Sequence, residues 1–209
     1  MGDTAFLRCI QPECAATFDI GQTLYACRSC GGLLDVAYDW VWLPSVLDFF
    51  EQRRSGRCRP VDFSGVWRFR ELLPFATEAE LVTIGEGQTL LQSADASAMD
   101  LPLRPGGLRL QYEGLNPSGS FKDNGMCAAF TVARRLGRTR VGCASTGNTS
   151  ASLAMYASLT TLADGKRMRG IVFIGAGKIA FGKLSQALEH GALTLQIEGD
   201  FDACMRRVR

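Results

Sequence analysis

Histidine is nearly missing from this 209-residue chain, where His190 stands alone. A serine–histidine triad or a histidine-ligated metal would rest on that one side chain, so neither chemistry is expected. Lysine is scarce as well, with copies only at positions 122, 166, 178 and 183. No stretch approaches the ~18 consecutive apolar residues of a membrane helix, and the first residues lack the basic start and apolar run of a signal peptide. Charge bias is absent too: 23 basic against 21 acidic residues leave +2. That balance creates no field to draw nucleic acid or a membrane surface. The expected protein is cytoplasmic, with neither of those partners. Composition is otherwise ordinary, 46% hydrophobic and 21% charged, which excludes disorder as the dominant state. At ~150 residues per domain, the length predicts one domain with an appendage.

The eight cysteines make up about 4% of the chain, below the roughly 8–10% of disulfide-built scaffolds. In a reducing compartment they point to metal or to plain thiols. Four are clustered as Cys9-x4-Cys14 and Cys27-x2-Cys30. Two short-spaced pairs about a dozen residues apart can close on one tetrahedral Zn²⁺. Gly31-Gly32 suits the turn that such a knuckle needs. Short strands are expected at 16–20, 23–26 and 33–37, so residues 1–39 read as a zinc ribbon. Four thiolates leave no position for water, which makes the metal structural. The alternative, a set of buried reduced cysteines, does not account for the pairing.

Residues 40–106 read as a connector and the start of the body. A helix is expected from Pro44 to Gln52, with Val46, Leu47, Phe49 and Phe50 turned inward. The basic run 53–57 reads as a solvated linker, Cys58 as an ordinary reduced thiol, and 101–107 as a Pro/Gly loop. From residue 107 onward the pattern is regular. Strands are expected at 108–112, 140–144, 170–174 and 193–197, and helices at 121–136, 148–162, 179–190 and 201–209. This alternation predicts an α/β domain with a largely parallel, twisted sheet, whose sites lie beyond the carboxyl ends of the strands.

Two loops occupy that position. The first, 113–123, places Lys122 at a helix start after a turn set by Gly114, Pro117 and Gly119. Taken alone, a surface lysine beside Asp123 explains it better than a nucleophile. The second, 144–150, is built of small residues whose N–H groups and hydroxyls suit an anion. Simple capping by Ser145 or Thr146 accounts for it equally well.

Together the loops are specific. Asn116-Pro-Ser-Gly-Ser-Phe-Lys-Asp123 resembles the cofactor-lysine motif of fold-type II pyridoxal-phosphate enzymes. With Ser145-Thr-Gly-Asn-Thr-Ser-Ala-Ser152, the chain is most similar to the threonine synthase branch. Segments 85–90, 177–180, 182–184 and 186–188 match further family stretches, and a branch of the family carries an N-terminal zinc ribbon. The implied fold is the tryptophan synthase β-like, doubly wound α/β sheet. The implied reaction converts O-phospho-L-homoserine and water to L-threonine and phosphate. By the same resemblance Lys122 holds pyridoxal 5'-phosphate and moves the proton, and Asn148 meets the cofactor's 3′ oxygen. Ser145, Thr146, Gly147 and Thr149 grip the substrate carboxylate, and a homodimer is compatible with the family. Lys183 reads as a solvated helix-face residue rather than a site cation.

Leu90, Asn124 and Gly175 depart from the family's usual proline, arginine and proline. Family chains also continue past this point, so the resemblance implies that the loop for the cofactor phosphate and the partner of the pyridine nitrogen lie downstream. The expected chain is then a fragment. The alternatives are a sister lyase or synthase acting on a related amino acid, an inactive fragment, and a non-catalytic zinc-ribbon binding protein.

Overall fold

The computed structural model describes residues 5–39, 47–56, 58–95, 99–176 and 181–208. The N-terminal segment is a three-stranded antiparallel sheet in the order β2-β1-β3, with β1 at Ala5–Cys9, β2 at Thr17–Asp19 and β3 at Leu34–Tyr38. The expected strand at 23–26 does not form, and the third strand is β1 instead. With β2 and β3 on its two edges, β1 has no hydrogen-bonding edge left for another strand. Tyr25 is correspondingly out in solvent at 92% exposure.

Helix α1 (Leu47–Ser55) and the single-turn α2 (Pro60–Phe63) come next. Pro44 and Val46 lie outside the described residues. Phe50 packs edge-on against Phe69, with ring centroids 4.8 Å apart, whereas Phe49 is exposed and lies under the Arg53 guanidinium. Arg53 is not part of a solvated linker. Its side chain is 11% exposed and donates to both Glu71 oxygens at 2.6 Å and to the Arg68 carbonyl at 2.6 Å. Burial pushes the Glu71 carboxyl up, and the Arg53 fork more than offsets it, so the group sits below its ordinary value. A depressed carboxyl adds stability above its unfolded value and loses it as pH falls through the folded one. Arg53→Met is therefore expected to destabilise the protein at neutral pH. Urea melts should show the gap to wild type narrowing as pH falls below the ordinary glutamate value of about 4.3; a gap constant with pH would refute this.

Strands β4 (Leu90–Ala94) and β5 (Leu108–Tyr112) pair antiparallel, Leu90 opposite Tyr112. The 108–112 strand thus forms as expected but lies outside the parallel sheet. That sheet has the order β6-β7-β8, formed by Arg140–Ala144, Arg169–Gly175 and Leu193–Ile197. Helix α3 (Lys122–Arg135) precedes it, α4 (Asn148–Leu159) and α5 (Phe181–Glu189) form its crossovers, and α6 (Phe201–Val208) comes after it.

Strand parity shows helices on both faces, as in a doubly wound sheet. A Cβ on Gly170 would lie 3.2 Å from Leu153 and Ala157 of α4, so Gly170, Val172 and Ile174 face α4. The alternate residues Phe173 and Gly175 line a cleft with Cys204 of α6. A Cβ on Gly175 would come within 2.9 Å of the Gly199 carbonyl, which gives this departure from proline a steric reason. Helix α4 carries no charged residue and buries Ala151, Leu153, Ala154, Tyr156 and Ala157, as a helix enclosed by sheet and neighbouring helices must. The core around it includes Trp67, Phe130 and Val172.

Candidate functional site

The four N-terminal cysteines converge. Cys9 ends β1, and Cys14 sits in a turn closed by its N–H to the Gln11 carbonyl at 3.1 Å. Cys27 and Cys30 flank a second turn, in which the Gly31 N–H reaches the Cys27 carbonyl at 2.8 Å and Gly31 has φ 73°. Sγ–Sγ distances are 3.5 Å for Cys9–Cys30 and 3.7 Å for Cys14–Cys27, and all four sulfurs lie within 4.8 Å of one another. A tetrahedron with metal–sulfur bonds of about 2.3 Å has edges of about 3.8 Å. The cluster therefore has the size to hold a metal ion. Gly32 closes in from one side, since a Cβ there would stand 3.2 Å from Cys30 Sγ and 3.3 Å from Cys9 Sγ.

The second site grows from the strand-to-helix loops. After β5 the chain makes a helical turn at Glu113–Leu115, and Asn116 pins the end of that turn. Its Nδ2 donates to Glu113 Oε2 at 2.8 Å, and its Oδ1 accepts the Gly87 N–H at 2.8 Å. Gly119 then takes φ 79°, open to glycine without strain, and α3 begins at Lys122. Adjacent residues part company at that point. Lys122 is half-buried with Nζ 4.3 Å above the Phe121 ring, while Asp123 is wholly buried. The Asp123 carboxylate accepts the Ser118 N–H at 2.7 Å, the Ser118 hydroxyl at 2.6 Å and the Ser152 hydroxyl.

The other loop leaves β6 at Ala144. Ser145 donates its N–H to the Phe173 carbonyl at 3.2 Å, and its hydroxyl accepts the Gly147 N–H at 3.1 Å. Gly147 caps α4 with no side-chain bond, leaving first-turn N–H groups for a ligand. A Cβ on Gly147 would meet nothing within 4 Å, so the backbone faces open space. Asn148 is exposed at the first helical position, and Thr146 and Thr149 are half-buried. Ser145 and Thr146 line the cleft of about 180 Å³ with Phe173, Gly175, Asp200 and Phe201. Asp123 ties the lysine loop to α4, the helix that the second loop opens, through Ser152.

Lys183 lies closer to this region than its sequence suggested. From α5 its half-buried Nζ reaches the Ser118 carbonyl at 3.5 Å and lies 3.8 Å from where a Gly119 Cβ would be. Segment 177–180 is outside the described residues. The departing Asn124 donates to Glu113 Oε2 at 3.5 Å, and its Oδ1 is buried with no partner among the described residues.

Comparison with known proteins bears on both loops. The profile described as "Pyridoxal-phosphate dependent enzyme" matches residues 82–209, which includes both of them. The chain belongs to this family. It is also similar to the threonine synthase of Methanosarcina acetivorans, 41% identical over 203 residues, covering 97% of this chain and 45% of that protein. The Methanocaldococcus jannaschii threonine synthase is 41% identical over 202 residues, with the same two coverages. That of Halalkalibacterium halodurans is 43% identical over 141 residues, 68% of this chain and 37% of that protein. The chain thus spans less than half the length of these curated relatives. Among the described residues, no helix is long and apolar enough to cross a membrane.

The site residues sequence reasoning missed are Ser64, Glu86 and Tyr156. Glu86 and Ser64 are wholly buried, and Glu86 accepts the Ser64 hydroxyl, Thr83 Oγ1 at 3.0 Å, the Ile84 N–H at 3.0 Å and the Tyr156 hydroxyl at 2.8 Å. Glu86 falls within the segment 85–90 already matched to the family, but nothing local marks it as buried.

Proposed function

We propose that this chain is the lysine-bearing part of a threonine synthase, converting O-phospho-L-homoserine and water to L-threonine and inorganic phosphate in the cytoplasm. The observation that carries the reading is the joining of the Lys122 loop to the start of α4 through one buried carboxylate. The family match across both loops supports it, as do relatives named threonine synthase at 41% identity. Residues present fit pyridoxal phosphate: an amine at a helix start, and first-turn N–H groups of α4 next to the open space at Gly147.

When bound, that cofactor supplies an electron sink for a carbanion next to the substrate amine. Lys122 would hold it and, once the substrate amine had taken its place, the freed lysine amine would accept the α proton and move one at the β carbon; phosphate would leave from the γ carbon and water would add at the β carbon. The exposed Asn148 amide would be the partner for the cofactor's 3′ oxygen. Ser145, Thr146, Gly147 and Thr149 bind the substrate carboxylate through hydroxyls and N–H groups at the positive end of α4. Cys9, Cys14, Cys27 and Cys30 hold a structural Zn²⁺ that takes no part in the reaction.

The test supplies pyridoxal phosphate and O-phosphohomoserine to the complete enzyme bearing these residues and measures phosphate and threonine together. Equal amounts of both support the reading. Phosphate without threonine, or turnover only with another amino acid, would transfer the chain to a sister activity.

A further inference from the structure

We propose that Asp123, together with Ser152 and the Tyr156–Glu86 pair, forms a buried positioning network that sets where the Lys122 amine stands relative to the start of α4. The inference rests on the reading of Lys122 as the cofactor-holding lysine.

Two carboxylates, Asp123 and Glu86, are wholly buried here, and neither has an ion-pair partner among the described residues. Burying an unpaired carboxylate is costly unless its oxygens are met by hydrogen bonds. Both are met, and the donors come from distant parts of the chain. Asp123 takes two donors from Ser118, inside the lysine loop, and one from Ser152 on α4. Glu86 takes donors from Ser64, Thr83, Ile84 and Tyr156.

Ser152 and Tyr156 are four residues apart and so share one face of α4. The Tyr156 hydroxyl lies 2.8 Å from Glu86 Oε2 and 3.1 Å from the Asp123 carbonyl. Burial and the Glu86 carboxylate hold the Tyr156 phenol far above its ordinary range, so it stays a donor. One face of α4 therefore ties the residue after Lys122 to the 83–86 turn, while the N-terminal end of the same helix presents Gly147, Asn148 and Thr149. Apolar packing tolerates small slips, whereas a satisfied buried network has few geometries that keep every bond. Asp123 touches no reacting atom; it acts through its neighbour.

The experiment compares wild type with Ser152→Ala, Tyr156→Phe and Asp123→Asn, each incubated with pyridoxal phosphate. Three quantities are read: the rate of covalent capture at Lys122, the visible circular dichroism per captured cofactor, and the melting temperature. Visible circular dichroism reports how the bound chromophore is oriented, which stability alone would not change. Ser152→Ala and Tyr156→Phe remove one hydroxyl each and should still fold, so a failure of Asp123→Asn to fold leaves the test intact. The expected result is capture slowed about tenfold, the scale of one lost charge-assisted hydrogen bond, with visible circular dichroism per captured cofactor falling in the same variants. Capture rate and visible circular dichroism equal to wild type in the folded variants would overturn the network while leaving the function standing. No capture at Lys122 in wild type would overturn both.

Discussion

Stripping the metal with a chelator, or making Cys27→Ser, is expected to unfold the β1–β3 sheet while the α/β body stays folded. The ribbon has almost no core of its own. Among its described residues the buried hydrophobics are Ala5, Cys9, Cys27 and Ala37, and two of these are ligand cysteines of the cluster. Leu33 is 65% exposed and Ile10 50%. A segment this small cannot offset its chain entropy by burial. Structural zinc in comparable small modules contributes roughly 10–16 kcal/mol at neutral pH, so its loss exceeds anything the three short strands supply. Hydrogen exchange should then show fast exchange across residues 5–38 and unchanged protection in α4 and β7. Metal analysis of protein purified without chelator should give about one zinc per chain. Full protection of β1 after chelation would show that the sheet stands without metal.

Lys122→Ala is expected to abolish covalent capture of pyridoxal phosphate and to lower turnover by about 10²–10⁴-fold, the range for losing a proton-transfer group. The competitors differ in place. Lys166 is exposed in a turn and paired with Asp164 at 3.0 Å, and Lys178 lies outside the described residues. Lys183 is the serious rival, because its amine also reaches the Ser118 loop. It approaches that loop from α5 as a donor to a carbonyl, whereas Lys122 begins α3 within the loop itself. Borohydride reduction followed by peptide mapping separates them. Label on the peptide bearing Lys122 in wild type, and none in Lys122→Ala, is the expected pattern. Label on Lys183 in both would reassign the cofactor lysine.

Much of this protein is decided by local sequence. The cysteine spacings with Gly31-Gly32 determine the two turns, because a knuckle spans few residues and its geometry needs only a left-handed position. The strand and helix order from residue 140 onward arises from short apolar runs and breakers, which act over one element's length. The lysine loop and the Ser-Thr-Gly-Asn loop are equally legible, being contiguous motifs.

What the tertiary structure alone decided is long-range. The pairing of 108–112 with 90–94 rather than with the parallel sheet depends on a partner that no local pattern names. The central place of β1 is set by which edges β2 and β3 occupy. Above all, Glu86 reads as a loop glutamate between glycines, yet it is buried because Tyr156, seventy positions later, closes over it. Lys183 likewise reads as a surface lysine until α5 brings it to Ser118. Burial and hydrogen-bond partners are properties of the assembled chain, since a side chain's desolvation is set by elements distant in sequence.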